Sequence, residues 1–299
     1  MTAADTPVPD AITLLPDVVY NTDVTRPLTL HLLRPQAPSA QLLPVVVWIF
    51  GGAWMGGNKN QGLPMLLPFA QRGYLCASIE YRLSGEAIFP AQIHDCKCAI
   101  RFLRSQSAVF GLDPNRIGVW GVSSGGHLAA LLGTTADVPE LEGEGGWPEF
   151  SSRVQAVCDC FGPTDFLQMD RAGSALQHDA PDSPESRLIG GPIQEHPDRV
   201  ARANPITYIT RARALPPFLI VHGDQAPLVP FNQSELLVEA LRRAGADVRF
   251  HRVVGGGHGD SAFETDEVRG LVEEFFAMSL AHGMTATRYE DSVGGGRKG

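Results

Sequence analysis

Two kinds of hydrophobic pattern alternate along this chain, namely short continuous apolar runs and longer stretches with helical spacing. One run, Val-Val-Val-Trp-Ile-Phe at 45–50, has no polar member, which is typical of a strand buried on both faces of a sheet. This alternation predicts a doubly wound, mostly parallel α/β sheet. The predicted strands are 28–33, 44–50, 75–80, 116–122, 154–161, 217–222 and 248–253, and the predicted helices are 65–71, 91–110, 124–134, 233–244 and 266–281.

The predicted elements follow one another without a domain linker or an internal repeat. We therefore expect residues 1–299 to form a single domain. One segment, 162–208, is rich in Asp, Pro, Gly and Ser and is too long for a plain connection between strands. Long insertions of this kind are commonly functional, so we interpret it as a small cap, joined at the same end of the sheet by the loop 136–150.

A glycine-rich segment at 121–126, Gly-Val-Ser-Ser-Gly-Gly, lies between the predicted strand 116–122 and the predicted helix 124–134. This is the context of a nucleophile elbow, in which glycine is needed wherever a Cβ would meet the neighbouring strand or helix. The sharp turn exposes the serine, so Ser123 is the predicted nucleophile. His127 lies in the helix that follows and is expected to pack or form a hydrogen bond there.

A serine hydroxyl becomes a good nucleophile when a neighbouring base takes its proton. His258 is the predicted base, because it lies in a glycine-rich loop after the last predicted strand, where the histidine of such a triad comes last in chain order. The oxyanion that forms on the attacked carbonyl needs preorganised N–H donors. Small residues after the strand 44–50 let the backbone approach a substrate, so the predicted donors are the amides of Gly52, Ala53 and Ser124.

With these features the chain resembles the feruloyl-esterase-like branch of the α/β-hydrolase carboxylesterases, which is related to the hormone-sensitive lipase group. The resemblance covers most of the chain. It implies an α/β-hydrolase fold and hydrolysis of carboxylic esters by a Ser, His and Asp triad without a cofactor. The segments that carry it are 47–54, 81–84, 89–95, 113–117, the elbow, 161–165 and 221–224.

The chain departs from this family pattern at two positions. Phe50 stands where the family typically has a histidine that braces the oxyanion loop, which affects the rigidity of the loop more than the chemistry. Ala226 stands where the resemblance implies the triad acid, so that position is vacant. Loss of the acid costs a serine protease roughly ten-thousandfold in turnover. Asp224 is a possible substitute, although roughly 6 to 7 Å of extended chain separate it from the vacant position.

Three functions stay open at this point. The leading hypothesis is a serine carboxylesterase for small acyl or aryl esters, present here as a triad-acid-to-Ala variant. The second is a serine peptidase or acylaminoacyl hydrolase, since the same triad cleaves amides. The third is a non-catalytic homologue that retains a ligand pocket. Four apolar side chains would either line a substrate pocket or pack in the core, namely Trp54, Trp147, Phe166 and Leu228.

Composition argues against several classes of partner. A net charge of -9 opposes a nucleic acid or an anionic membrane, which attract clustered Lys and Arg. No apolar stretch reaches membrane-spanning length, and the first residues lack the pattern of a secretory signal, so we expect a cytoplasmic protein with a small-molecule ester as its partner. The five cysteines lack zinc spacing and are expected to be buried thiols, with no metal site. The oligomeric state stays open.

Overall fold

Eight strands form one sheet in the computed structural model, which describes residues 7–37, 39, 41–136 and 138–281. The order across the sheet is β1-β2-β4-β3-β5-β6-β7-β8. The first two pairs, β1 with β2 and β2 with β4, are antiparallel, and all other neighbours are parallel. The strands are β1 (Ile12–Asn21), β2 (Leu28–Pro35), β3 (Leu43–Ile49), β4 (Leu75–Ile79), β5 (Leu112–Val122), β6 (Ala156–Cys160), β7 (Phe218–Gly223) and β8 (Val248–Val253).

Helices connect the parallel strands, and the predicted α/β-hydrolase fold is confirmed. The helices are α1 (Leu63–Gln71), α2 (Ala91–Ser105), α3 (Ser107–Phe110), α4 (Ser124–Thr134), α5 (Pro184–Ile189), α6 (Pro197–Ala203), α7 (Asn232–Ala244) and α8 (Asp266–Ser279). The helix predicted at 91–110 is divided into α2 and α3. Every residue of α4 is buried, so the helix that follows the predicted nucleophile lies at the centre of the molecule.

Strand β1, the edge strand of the sheet, is not among the strands that the sequence pattern predicts. Pro16 and Asp17 interrupt its pattern, and Asp17 has a φ of 53°. The pairing with β2 shifts between Leu15 and Val18, as it does at a β-bulge. A proline is tolerated on an edge strand because one side of that strand makes no ladder hydrogen bonds. Half-exposed strands with a bulge therefore lack the continuous apolar run by which the inner strands were found.

The inner strands carry the hydrophobic core, as the apolar runs predict. Side chains of β3, β4, β6 and β7 are almost all buried. All five cysteines are buried free thiols, in agreement with the expectation from their spacing. The carboxyl ends of β3, β5, β6 and β7 meet along one edge of the sheet, because these neighbouring strands run parallel. Ligand sites of open α/β sheets lie at this edge.

The long segment 162–208 between β6 and β7 contains α5 and α6 together with several 3-10 turns. It packs into the main hydrophobic core through the buried side chains of Leu188, Ile189, Ile193 and Val200. It also reaches the loop after β7, since the amide of Ala175 donates to the carbonyl of Pro227 at 2.7 Å. The segment is therefore tied to the edge of the sheet where the strands end.

Glycines allow very close backbone packing where β5 meets α4. A Cβ on Gly121 would collide with the carbonyl oxygen of Gly125, and a Cβ on Gly125 would collide with the carbonyl oxygen of Ile49 in β3. Both obstacles are backbone atoms, which cannot move aside as a flexible side chain can. The predicted need for glycine at these two positions thus has a direct steric cause.

We expect Gly125→Ala to lower the free energy of unfolding by at least about 3 kcal/mol, because the added methyl forces β3 away from α4. The matched control is Gly270→Ala in α8, where a Cβ would have open space, and which is expected to raise stability by about 1 kcal/mol. Urea unfolding of both variants measures the difference. Equal midpoints for Gly125→Ala and the parent chain would contradict the steric account.

Candidate active site

Ser123 occupies the turn between β5 and α4. Its φ of 54° and ψ of -124° are unusual for a residue with a side chain, and such strain is commonly found at functional sites. Two backbone hydrogen bonds hold the turn, one from the amide of Ser123 to the carbonyl of Cys160 at 2.8 Å and one from the amide of His127 to the carbonyl of Ser123 at 3.0 Å. The side chain is thereby presented at the carboxyl edge of the sheet.

The fold brings His258 to Ser123, although 135 positions separate the two residues in sequence. The Nε2 atom of His258 lies 2.9 Å from Oγ of Ser123, within the distance needed for proton transfer. The ring of His258 packs edge-on against the ring of Phe161, with 4.7 Å between the two ring centroids. Burial lowers the pKa of His258 to about 4, so the imidazole is neutral at pH 7 and able to accept the serine proton.

The other ring nitrogen of His258 has no acceptor. Its Nδ1 atom is buried and makes no hydrogen bond with any residue that the structure describes. When Nε2 accepts the serine proton, Nδ1 must carry a hydrogen, and a buried N–H without a partner is costly. A triad acid normally accepts this hydrogen bond, orients the ring and stabilises the imidazolium.

Ala226, the predicted vacant position, lies in the loop that follows β7. This loop runs beside the loop of His258, because the amide of Gln225 donates to the carbonyl of Gly256 at 2.9 Å. The amide of Ala226 itself donates to the carbonyl of Gly223 at 3.2 Å, which forms a tight turn. The methyl side chain of Ala226 cannot accept a hydrogen bond, in agreement with the unpartnered Nδ1 atom.

Asp224 is not placed as a substitute acid. Its carboxylate accepts hydrogen bonds from the Nε atom of Arg252 at 2.7 Å and from the amide of Gly255 at 2.8 Å, and no described contact joins it to His258. The bond from Arg252 and the bond from Gly255 lower the pKa of Asp224 below its ordinary value. The hypothesis that Asp224 serves in the triad is therefore corrected. Its place in the tight turn after β7 brings its carboxylate to Arg252 of β8 and to Gly255 instead.

The three residues predicted to supply the oxyanion donors line the same cleft as Ser123. Among the described residues, the amides of Gly52, Ala53 and Ser124 donate to no backbone acceptor. Gly52 has a φ of 129° and a Cβ there would collide with the carbonyl of Gly56, so the turn requires glycine. Ala53 follows with a φ of 54°. Free amides at strained positions are suited to hold a developing negative charge.

Phe50 braces the oxyanion loop by packing rather than by a polar side chain. Its ring stacks on the ring of Tyr81, with 4.3 Å between the ring centroids and an interplanar angle of 14°. The hydroxyl of Tyr81 donates to the carbonyl of Phe50 at 3.0 Å. A Cβ on Gly57 would also touch the Phe50 ring. The loop is thus supported from two directions without the histidine of the family pattern.

Two buried histidines support the site, and the sequence predicts a specific partner for neither of them. His127 accepts a hydrogen bond from the indole of Trp54 at 3.2 Å through Nδ1 and donates to the carbonyl of Ala203 at 2.8 Å through Nε2. Burial lowers its pKa to about 4. His222 donates to the carbonyl of Val229 at 3.0 Å, which fixes the loop that carries Ala226. Only the three-dimensional contacts reveal these roles.

A cleft of about 370 Å³ opens above Ser123. It is mostly apolar, and one of its walls comes from the segment 162–208. The cleft is lined by Gly52, Ala53, Trp54, Val122, Ser123, Ser124, Phe161, Pro163, Leu176, His178, Pro184, Glu185, Leu228, Val229, His258 and Gly259. A concave apolar site with a few polar groups is typical of small-molecule binding.

Two of the four predicted pocket residues, Trp54 and Leu228, line this cleft, whereas the other two do not. Phe166 is fully buried and packs behind the site against Trp54 and His127. Trp147 packs against Phe102 of α2, and its indole donates to a carbonyl of β1. Of the two alternatives left open for Trp147, a substrate pocket or packing, the structure therefore gives packing, and the unpredicted strand β1 supplies its partner.

The described residues include no group of three or more His, Cys, Asp or Glu side chains arranged to hold a metal ion. Within the same part of the chain, no helix has the length and apolar character needed to cross a membrane.

The sheet order, the elbow and the cleft at the carboxyl edge define an α/β-hydrolase. The BD-FAE family model matches residues 30–241, and the chain belongs to this family of carboxylesterases. The predicted resemblance to the feruloyl-esterase-like branch is thereby confirmed.

Known relatives agree with this assignment. The chain is 36% identical over 219 residues to esterase LipC of Mycobacterium tuberculosis, which covers 72% of this chain and 53% of LipC. It spans about half the length of LipC and of two other curated relatives that it matches.

Solved structures give the same result over nearly the whole chain. A truncated carbohydrate esterase from gut microbiota is 33% identical, with a TM-score of 0.81 over 92% of this chain and 99% of that one. Propionate-bound esterase Est2 of Thermogutta terrifontis is 27% identical, with a TM-score of 0.73 over 90% of this chain and 94% of that one. Est2 also exists in a form phosphorylated by paraoxon.

We expect Ala226→Asp to raise the pKa of His258 from about 4 by about 1 to 3 pH units, since an adjacent carboxylate favours the imidazolium. Asp224→Asn is expected to leave this pKa unchanged, because Asp224 contacts Arg252 instead. Nuclear magnetic resonance titration of ¹⁵N-labelled histidine measures the pKa of His258 in both variants, with His258→Gln used to assign the signal. A lower pKa of His258 in Asp224→Asn would support Asp224 as the triad acid.

Proposed function

We propose that this chain is a serine carboxylesterase that hydrolyses small acyl or aryl esters through an acyl-enzyme on Ser123. The observation that carries the proposal is the 2.9 Å contact between Oγ of Ser123 and Nε2 of His258, made beside three free amides in an apolar cleft. Nucleophile, base and oxyanion donors in this arrangement are the parts that acyl transfer needs.

The chemistry proceeds in two halves. In the first, His258 takes the proton of Ser123 as Oγ attacks the ester carbonyl, and the amides of Gly52, Ala53 and Ser124 hold the oxyanion. The tetrahedral intermediate collapses, the bond to the alcohol oxygen breaks, and His258 gives its proton to the departing alcohol. In the second half, His258 takes a proton from water as the water oxygen attacks the acyl-serine. The second tetrahedral intermediate collapses, the bond between the acyl carbon and Oγ breaks, and His258 returns the proton to Oγ, so the carboxylic acid leaves and Ser123 is restored.

The vacancy at position 226 weakens this chemistry without removing it. The imidazolium formed on His258 has no carboxylate beside it, and the buried Nδ1 atom is unpartnered. A triad that lacks one member still gains about a thousandfold or more over water from the oxyanion donors and from substrate binding. We therefore propose a chain with impaired turnover and an intact binding site.

The segment 162–208 acts as a cap in this proposal, within a single domain. It supplies Leu176, His178, Pro184 and Glu185 to the wall of the cleft. Two of its neighbours, Leu228 and Val229, belong to the loop after β7. The cap and that loop together would decide which acyl or alcohol groups fit.

A ligand-binding protein without catalysis is the second candidate, and the unpartnered Nδ1 atom of His258 favours it. A peptidase is less favoured, because the chain offers no feature selective for amides beyond the shared Ser and His pair. A catalyst and a binding protein differ in one measurable property. Only the catalyst transfers an acyl or phosphoryl group to Ser123.

Paraoxon is expected to phosphorylate Ser123 and no other residue, because, of the two described serines that line the cleft, Ser123 and Ser124, it is Ser123 whose hydroxyl contacts a histidine. Peptide mass mapping locates the adduct. The control is Ser124→Ala, which removes the adjacent buried hydroxyl and should keep the adduct, whereas Ser123→Ala should lose it. An adduct on Ser124, or none in the Ala226→Asp form, would refute the assignment of the nucleophile.

Ala226→Asp is expected to raise ester turnover by about two to four orders of magnitude, the range expected when a histidine regains its orienting carboxylate. The Michaelis constant should change little, since the acid does not touch the substrate. Asp224→Asn should alter turnover by less than about threefold, because its carboxylate serves Arg252. Steady-state kinetics on one aryl acetate measure kcat and KM for the parent chain, Ala226→Asp and Asp224→Asn.

A rise below tenfold in Ala226→Asp, together with a collapse of activity in Asp224→Asn, would contradict the vacancy at position 226. Absence of turnover in every form, with the fold intact by circular dichroism, would instead favour the binding protein.

A further inference from the structure

The hydrogen-bond donors that a triad acid would satisfy are unused around position 226. Among the described residues, no acceptor reaches the buried Nδ1 atom of His258. The amides of Leu228 and Val229 likewise donate to no acceptor in this part of the chain. An aspartate side chain typically accepts a hydrogen bond from the amide two residues on, which for position 226 is the amide of Leu228. Ala226 therefore leaves at least two donors without the carboxylate that would join them.

The loop that carries these amides is held by other contacts. The amide of Ala175 in the cap donates to the carbonyl of Pro227 at 2.7 Å. The carbonyl of Val229 accepts a hydrogen bond from His222 at 3.0 Å. Donors that are already fixed in place bind a ligand at a lower entropic cost than donors that must first be ordered.

The acidic residues closest in sequence to this loop and to the triad histidine have donors of their own. Asp224 accepts a hydrogen bond from Arg252 at 2.7 Å. Asp260 accepts hydrogen bonds from the amides of Gly257 at 2.7 Å and Ala262 at 3.1 Å. Both carboxylates are thus occupied elsewhere, and their donors offset the negative charge that would repel a further anion.

We propose that position 226, beside His258, is a binding site for a small free carboxylate, formate or acetate, which serves as the acid of the triad. This inference rests on the proposed esterase function and adds a ligand that activates it. One carboxylate oxygen accepts the hydrogen bond of Nδ1, and the other accepts that of the Leu228 amide. The bound carboxylate stays ionised, orients the imidazole and stabilises the imidazolium that forms when Ser123 gives up its proton.

Size and access limit the ligand to a very small acid. Ala226 keeps the Cβ atom that an aspartate would have, so only the carboxylate group is missing, and formate is the free acid closest to that size. Ala226 is half-buried between the exposed residues Gln225 and Pro227, so an ion reaches the loop from the solvent without crossing the core. A ligand as small as formate has a Kd no tighter than about millimolar.

The first test measures kcat of the unsubstituted chain on an aryl acetate while sodium formate replaces sodium chloride up to about 0.3 M, at constant ionic strength. Formate should raise kcat at least about tenfold and saturate, recovering part of the acid's effect because a free ion is less firmly oriented than a side chain. Nitrate, a planar anion that accepts much weaker hydrogen bonds, should change kcat less than about twofold. Ala226→Asp supplies its own carboxylate, so formate should change its kcat less than about twofold.

Ala226→Gly provides a matched change in the size of the site. This variant lacks the Cβ atom, and acetate then supplies both the methyl carbon and the carboxylate of the missing aspartate. Formate should activate the unsubstituted chain at least about fivefold more than acetate does, since an extra methyl group is poorly tolerated in a packed site. In Ala226→Gly the order should reverse, with acetate the better activator.

Binding is measured without turnover by nuclear magnetic resonance of ¹⁵N-labelled histidine. Formate should shift the signal of Nδ1 of His258 with the same midpoint as its effect on kcat, and nitrate should not. The carboxylate has two sources, the surrounding solution and the acid that hydrolysis releases. Progress curves distinguish them, because an alkyl formate should be hydrolysed faster as formate accumulates, whereas an alkyl pentanoate should show no acceleration.

A kcat and an Nδ1 signal that formate leaves unchanged, while Ala226→Asp raises turnover, would overturn the carboxylate site and leave the esterase function standing. Equal activation by nitrate, or equal activation of Ala226→Asp, would also overturn it, since the effect would not depend on position 226. A straight progress curve for the alkyl formate, despite activation by added formate, would exclude the product as the source. Absence of turnover in every form would contradict the esterase function, and the Nδ1 titration would still decide whether the carboxylate binds.

Discussion

The site depends on the close approach of backbones at the carboxyl edge of the sheet. Gly125 lets α4 begin against the carbonyl of Ile49, and Gly51 lets the oxyanion loop pass the carbonyl of Val122, where a Cβ would lie at 2.8 Å. Gly223 likewise has no room for a Cβ, since the carbonyls of Gly256 and Gly257 lie against it. Three loops from distant parts of the chain are therefore held at contact distance by main-chain atoms, whose positions vary little.

Features encoded by a local pattern could be predicted from the sequence. Ser123 lies in a turn whose glycines are needed by sterics, and His258 lies in a loop whose place in chain order is set by the fold. The inner strands follow from their continuous apolar runs. Each of these patterns lies within one continuous segment, so the sequence alone contains it.

Features that depend on which side chains meet across the molecule could not be predicted. Trp147 is apolar and lies in a loop, but its partner is the edge strand β1, whose bulge conceals its pattern. Phe166 is likewise apolar, but it packs against the ring of Trp54 and does not line the cleft. Glu185 and His178 are seven residues apart in a polar segment, and only the fold of that segment shows that the pair is buried in the cleft.

The loop after β7 does not need a carboxylate to keep its shape. His222 holds it through the carbonyl of Val229, the amide of Gln225 holds it to the loop of His258, and Asp224 is occupied by Arg252. Under the proposed function, position 226 would therefore decide the turnover, whereas other residues set the shape of its loop. The alanine codons GCU and GCC differ from the aspartate codons GAU and GAC by one nucleotide, so a single base change can place a carboxylate at this position in a loop that other contacts already hold.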